Sequence, residues 1–335
     1  MNVLILGGTR FLGRALAEAA LERGHRVTLF HRGQTGARLL PECERILGDR
    51  GSDLDRLGAL TFDAVFDTCG FVPRVVRAAA VRLADSASHY AFISSISAYA
   101  EPLAIGAGED APLATLADPS REDVTGETYG ALKALCEREI SAAFGNRALI
   151  ARAGLLVGPN DTTDRFPYWV KRLARGGDVM VPDAPLQPLQ LIDVRDAAAW
   201  LVRMAEARAG GTYNLTGPAR ALSLGEFFGA CRAALGSDAR FVPVSESFLR
   251  ERRVEPWSEL PLWTGGGDGF LSVAIDRALA SGLALRSLDA TVLDTFAWSR
   301  GRGEPFAATA ATPQPNSLSI ERECELLEAW AARSG

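Results

Sequence analysis

Tyr129 and Lys133 stand four residues apart in GETYGALKALCE, 126–137. On a helix that spacing puts both side chains on one face. A lysine ammonium beside a phenol favours the phenolate and can hold a nicotinamide ribose, so the phenol can exchange a proton with a carbonyl or alcohol oxygen. Upstream, FISSISAYA ends a strand pattern with Ser94 and Ser95. A hydroxyl there can orient the same oxygen, although strand-end capping uses the same residues. Y-x-x-x-K is common by chance, so the pair takes its meaning from what surrounds it.

The chain opens with NVLILGGTRFLG, residues 2–13. Gly7 lets the chain turn sharply after a strand, and Gly13 lets a helix pack closely on the sheet. The free amides at the helix start then meet a pyrophosphate with the positive end of the helix dipole. Arg10 stands where a middle glycine would complete G-x-x-G-x-x-G. The second strand ends in LFHRGQT, without the Asp or Glu that binds the ribose hydroxyls of NAD. Arg32 instead offers a planar, permanently charged fork to a 2′-phosphate, and Arg10 flanks it from the neighbouring turn. NADP(H) is the expected cofactor, with NAD(H) as the alternative.

Positioning these groups requires a sheet with its strand ends on one edge. Strand patterns fall at 2–6, 26–31, 44–47, 64–67, 89–94 and 147–152, with alanine-rich amphipathic stretches between them at 11–23, 74–84 and 127–143. Short apolar strands alternating with helices predict an α/β, doubly wound parallel sheet of Rossmann type. After about residue 155 glycine and proline punctuate the pattern, and GTYNL at 211–215 returns to the sheet. The expected division is a dinucleotide-binding domain of 1–155 plus about 187–216, and a smaller substrate-binding domain of 156–186 and 217–335. GGGDG at 265–269 reads as a loop, 306–317 as a flexible connection, and 319–333 as a last helix.

Bulk properties narrow the partners. Of 335 residues 47% are hydrophobic, and the net charge is -5, which gives no general attraction to nucleic acid or anionic membrane. Cys43, Cys69, Cys136, Cys231 and Cys324 are scattered and odd in number, which suits reduced thiols in the cytoplasm. Three unrelated histidines argue against a metal site. No segment approaches the roughly 18 apolar residues of a membrane span, and the N-terminus enters a strand with no export signal. A small-molecule substrate and a homodimer are compatible with all of this.

Together, GGTRFLG, SSISAY, YGALK, GLLVGPND and LQLIDVRDAAAW resemble the short-chain dehydrogenase/reductase superfamily, in its extended or atypical NAD-dependent epimerase/dehydratase branch. The resemblance implies that Tyr129 is the catalytic acid/base, Lys133 its partner and cofactor contact, and Ser95 the polarising hydroxyl. It implies cofactor contacts from Gly7, Thr9, Arg10, Phe11, Leu12, Gly13 and Arg32, from Asp49 and Arg50 near the adenine, and from Thr68, Cys69 and Gly70 beneath the dinucleotide. GGTRFLG also resembles an atypical subgroup related to chloroplast RNA-associated proteins; fold alone does not fix function.

Two departures bear on substrate. Where sugar-nucleotide enzymes of this branch carry an asparagine after the sixth strand, Leu155 stands, and Leu189 and Gln190 replace an expected Arg-Asp. Leucines in place of polar nucleotide contacts favour a less charged substrate. Ser94, Leu155, Arg165, Tyr168 and Trp169 are the candidate substrate contacts, 161–177 being expected to line the cleft opposite the cofactor, although an aromatic cluster also suits a core. Asp193, Arg195 and Asp196 read as an ion-pair network, and Trp257 and Trp263 as a lid or interface. The leading expectation is an NADP(H)-dependent oxidoreductase acting on a carbonyl, imine or alcohol. Alternatives are an epimerase or dehydratase that returns the hydride to a sugar or sugar nucleotide, and a non-catalytic dinucleotide sensor or RNA-associated protein.

Overall fold

The computed structural model describes residues 1–36, 39–266, 269–301 and 317–334. The chain divides into two compact units. The first comprises Met1–Leu156, Leu191–Ala219 and Val273–Leu285. Seven parallel strands form its sheet: β1 (Asn2–Leu6), β2 (Arg26–His31), β3 (Glu44–Leu47), β4 (Ala64–Asp67), β5 (Tyr90–Ser95), β6 (Ala148–Ala153) and β7 (Gly211–Leu215). Their order across the sheet is β7-β6-β5-β4-β1-β2-β3. The direction of winding reverses between β1 and β4, the place where such sheets open a crevice for a ligand.

Both faces of the sheet are covered, which is why its central strands read as unbroken apolar runs. Val3, Ile5, Ala64 and Phe66 face a layer containing α1 (Phe11–Glu22) and a helix at Val194–Glu206. Leu4, Leu6, Val65 and Phe92 face α2 (Pro73–Leu83) and α3 (Tyr129–Phe144). The doubly wound fold expected from the sequence is therefore present. Helix α3 begins two residues later than its periodicity predicts. Residues 125–128 form a turn instead, in which Thr128 Oγ1 donates to the Asp123 carbonyl (2.5 Å) and the Thr125 carbonyl accepts from Tyr129 N (3.0 Å).

One boundary differs from expectation. Val273–Leu285 belongs to the first unit, not the second. The Asn214 side chain on β7 donates to the Ala274 carbonyl (2.9 Å), and Ala278 and Leu283 join the apolar layer beside Leu215. These contacts lie far apart in sequence and have no local signal.

The second unit comprises Val157–Gln190, Arg220–Ser272 and Arg286–Gly335. It holds helix α4 (Arg165–Ala174), a helix at Leu224–Ala234 opened by a Ser223/Glu226 capping box, and the parallel pair Asp178–Pro182 with Arg240–Val244. The last helix, Ile320–Ser334, is pinned by Glu323, which accepts from Arg172 Nε (2.5 Å) and Met180 N (2.9 Å). The 306–317 connection lies outside the described residues except for Ser317, and part of 265–269 does so as well. Among the described residues no helix is long and apolar enough to cross a membrane.

Candidate active site

The first cradle is made by side chains left out. Gly7 and Gly8 adopt φ of +105° and +90°, open only to glycine without strain. A Cβ on Gly7 would lie 2.5 Å from Thr68 Oγ1, and one on Gly8 2.6 Å from Leu29 Cδ2. A Cβ on Gly13 would stand 2.7 Å from the Gly8 amide nitrogen. Gly7 N donates to the Phe30 carbonyl (2.9 Å), and the Thr68 hydroxyl to the Leu6 carbonyl (2.9 Å). The turn is thus locked between β2 and the end of β4. Helix α1 starts directly after it with no acidic residue in its first turn, so its amide end remains attractive to a diphosphate. Gly8 is as necessary as Gly7. Its doublet was visible in the sequence, but its need for glycine comes from Leu29.

Around the turn, Thr9 is buried and its hydroxyl pairs with that of Thr35 (2.9 Å). Arg10 occupies the N-cap of α1 and is partly buried, which lowers the ionisation of its guanidinium. Leu12 is buried in the layer against the sheet, and Phe11 packs at its margin. Arg32 is exposed, directly after β2. His31 is buried, its Nδ1 accepting from Gly33 N (3.0 Å), and burial followed by the nearby Arg45 pushes its ionisation down. The Asp49 carboxylate accepts from Gly51 N (2.8 Å). Arg50, expected near the adenine, turns its guanidinium inward. Its Nη1 (2.5 Å) and Nη2 (2.7 Å) fork onto the buried Asp67 carboxylate, which claims the charge that an adenine contact would use.

The second cluster stands where β5 and α3 meet. Strand β5 ends at Ser95, and a short turn, Ile96–Ala98, follows it. Ser95 Oγ accepts from Ser97 N (3.1 Å) and donates to Ser97 Oγ (3.1 Å). A Cβ on Gly130 would fall 2.0 Å from the Ser97 carbonyl oxygen. Only glycine lets the first turn of α3 rest on that carbonyl, and this contact brings the Tyr129 end of the helix to the Ser95 end of the strand. Gly130 carries no chemistry of its own, so a search for reactive residues passes over it. Tyr129 is half-buried, its ring centroid 6.4 Å from that of Phe71.

Lys133 is buried. Its Nζ donates to the carbonyls of Gly70 (2.8 Å) and Ile93 (2.5 Å) and lies 4.2 Å from the Phe92 ring centroid. Burial pushes its ionisation down to about 8, while carboxylates nearby oppose the fall. Thr68, Cys69 and Gly70 lie between β4 and α2, so Lys133 is bonded directly to this floor segment. Burial pushes the pKa of the Cys69 thiol up and so disfavours its thiolate.

Ser94 does not serve as a substrate contact. Its buried hydroxyl donates to Glu137 Oε1 (2.5 Å), because alternation along β5 turns it away from Ser95 and into a charged core. There Glu137, one turn beyond Lys133, accepts from Arg152 Nε (3.0 Å) and Nη2 (2.8 Å). Arg152 Nη1 donates to the Glu109 carbonyl (2.8 Å), and its guanidinium lies 4.7 Å from the Tyr99 ring centroid. The arginine of β6 thus ties α3 to the sheet.

The remaining substrate candidates are largely core. Leu155 and Leu189 are buried. Trp169 is fully buried, donates from Nε1 to the Pro261 carbonyl (2.6 Å) and packs on Phe228 at 4.5 Å, so it cannot touch a substrate. Tyr168 is buried edge-on against Trp169 at 5.0 Å, and burial raises its phenol. Arg165 is half-buried with its guanidinium 5.2 Å from the Trp257 ring centroid. Trp263 is core and Trp257 half-buried. Asp193 pairs with Arg195 (2.7 Å) and caps its helix by accepting from Arg195 N (2.9 Å).

A parallel sheet with a glycine cradle at its switch point, beside a buried lysine and a tyrosine at one helix start, defines a dinucleotide-binding enzyme. Residues 3–216 match the model of the NAD dependent epimerase/dehydratase family, and the chain belongs to that family. It is accordingly an NAD(P)-dependent enzyme. The chain is 25% identical over 277 residues to the bovine (Bos taurus) "Epimerase family protein SDR39U1", covering 76% of this chain and 88% of that protein. It is 29% identical over 235 residues to the "Chloroplast stem-loop binding protein of 41 kDa b" of Arabidopsis thaliana, covering 64% of this chain and 58% of that one. Among solved structures, the Bordetella bronchiseptica enzyme WbmH in complex with NAD+ is similar at a TM-score of 0.66 and 18% identity, over 90% of this chain and 99% of the other. That likeness is one of fold.

Proposed function

We propose that this chain is an NADP(H)-dependent oxidoreductase that reduces a carbonyl or imine of a small metabolite, or oxidises the matching alcohol, in the cytoplasm and without a nucleic-acid or membrane partner. The bond between Lys133 Nζ and the floor carbonyl of Gly70 carries this reading, because it fixes a cation where the floor segment, β5 and the tyrosine helix converge. The dinucleotide, when bound, supplies the hydride chemistry. Tyr129 exchanges the proton with the substrate oxygen, Lys133 holds the ribose and favours the phenolate, and Ser95 orients the same oxygen. The glycine cradle fits a diphosphate, and Arg32 with Arg10 would take a 2′-phosphate. The acidic net charge and five free cysteines support the cytoplasmic, nucleic-acid-free reading.

A second reading keeps this machinery but returns the hydride to the same molecule, as the family name and the bovine relative suggest. Dinucleotide retained through purification favours it. Leu155 and Leu189, both packed, weigh against a sugar nucleotide, so a UDP- or dTDP-sugar that saturates the protein at micromolar concentration restores the epimerase reading. Calorimetric titration tests the cofactor. NADP+ should bind more tightly than NAD+, and Arg32→Ala should weaken NADP+ about ten- to a hundredfold, the usual range for a lost charge-assisted hydrogen bond. Equal affinities in the parent protein contradict the NADP assignment.

A further inference from the structure

Beneath the dinucleotide floor lies a charge cluster to which the proposed chemistry gives no role. Asp67, the last residue of β4, is fully buried and accepts four hydrogen bonds. Two come from Arg50 (2.5 and 2.7 Å), one from the Tyr90 hydroxyl (2.8 Å) and one from Cys69 N (3.2 Å). The last of these bends the chain over Asp67–Cys69 where β4 ends. A Cβ on Gly70 would lie 3.1 Å from Asp67 Oδ2, so carboxylate and turn are in contact. The Gly70 carbonyl then takes Lys133 Nζ at 2.8 Å. Fork, carboxylate, turn and ammonium make one continuous series of contacts.

We propose that Arg50 and Asp67 are positioning residues for Lys133: Asp67 holds the floor turn against the ammonium and supplies the anionic charge that keeps a buried lysine cationic, while Arg50 keeps that carboxylate ionised and aimed. The proposal rests on the reading of Lys133 as the partner of Tyr129. The charged and titratable groups facing Lys133 are few. From α3 come Tyr129, one turn away on the same face, Cys136, whose thiol burial pushes up to about 12 and so leaves neutral, and Glu137, which is committed to Arg152 and Ser94. From β4 comes Asp67, and from beyond β3 comes Arg50, which opposes it. Strand β5 and the floor present carbonyls, the rings of Phe92 and Phe71, and the Cys69 thiol, which burial keeps neutral. An ammonium so enclosed depends on its nearest ionised carboxylates.

Lys133 and Lys171 are the only lysines in the chain. Protein labelled with carbon-13 at lysine Cε therefore gives two side-chain resonances, and Lys133→Met assigns them. In the ligand-free protein Lys133 should titrate near 8. Asp67→Asn should lower that midpoint by about one unit, and Arg50→Gln should lower it by about half a unit, because without its guanidinium fork the buried carboxylate loses charge and aim. Simple loosening admits water and moves both variants upward, towards the ordinary value of about 10.4. An unchanged or raised midpoint in either variant overturns the proposal. If Asp67→Asn fails to fold with Arg50 left unpaired, the double variant Asp67→Asn/Arg50→Gln buries no lone charge. It should lower the midpoint by about half a unit, and an unchanged or raised value overturns the proposal. No turnover or cofactor enters this readout, so it separates this inference from the oxidoreductase reading.

Discussion

At the glycine turn the crevice is shaped by side chains left out; around Lys133 it is shaped by charges packed into the core. Gly7, Gly8 and Gly13 let the turn, its strands and helix α1 approach one another closely, with Arg32 standing exposed nearby. On the adjoining strands β4 to β6 and on α3, Lys133, Asp67, Glu137 and Arg152 are all buried and joined by hydrogen bonds to one another's neighbours. The first region is tuned for affinity, and its exposed Arg32 can be altered with little effect on folding, although its glycines cannot. The second trades stability for placement, since buried charges contribute little net stability but tolerate no missing partner. Substitutions in the two regions should therefore fail in different ways.

The largest effect is expected at Arg152. Arg152→Met leaves Glu137 buried without its cation and should cost about 3–5 kcal/mol of unfolding free energy. Denaturant titration checks this, and a loss below about 1 kcal/mol would show the pair to be dispensable. Gly130→Ala comes next. Its methyl would overlap the Ser97 carbonyl, so α3 must shift, at a cost of about 1–3 kcal/mol. Unchanged Tm together with unchanged NADPH affinity would show that the contact does not set the helix position.

The most gradual effect is a pH dependence. Lys133 titrates near 8 when folded and near 10.4 when unfolded, so between those values the unfolded chain binds more protons. Stability contributed by this group therefore rises with pH across that window, by at most about 1.4 kcal/mol per unit. The buried thiols oppose it, because unfolding lets them ionise, so the quantity to measure is the parent curve minus that of Lys133→Met. That difference should climb from about pH 8 to 10; a flat or falling difference contradicts a buried, depressed lysine.

Much of the first region was legible in the sequence because it is local. A strand, a glycine turn and a helix are contiguous, and Tyr129 and Lys133 share a helix face within one turn. What escaped notice depends on residues far apart in the chain. Arg50 meets Asp67 across β3 and β4, Ser94 meets Glu137 across β5 and α3, and Gly130 meets Ser97. None has a periodicity to betray it. Trp169 shows the converse case. It reads as a substrate contact by composition, yet its burial against Phe228 and Pro261 is a matter of packing that no single sequence displays.

Tyr129→Phe tests the central claim most directly, because it removes one hydroxyl and leaves the ring against Phe71. Turnover should be followed by NADPH absorbance with the first carbonyl compound that the parent protein reduces, and NADPH affinity measured in parallel. The account predicts a fall in turnover of about 10²–10⁴-fold, the usual contribution of a positioned acid/base, with cofactor affinity and Tm close to the parent's. Turnover near that of the parent would contradict it, and the proton would have to come from another group.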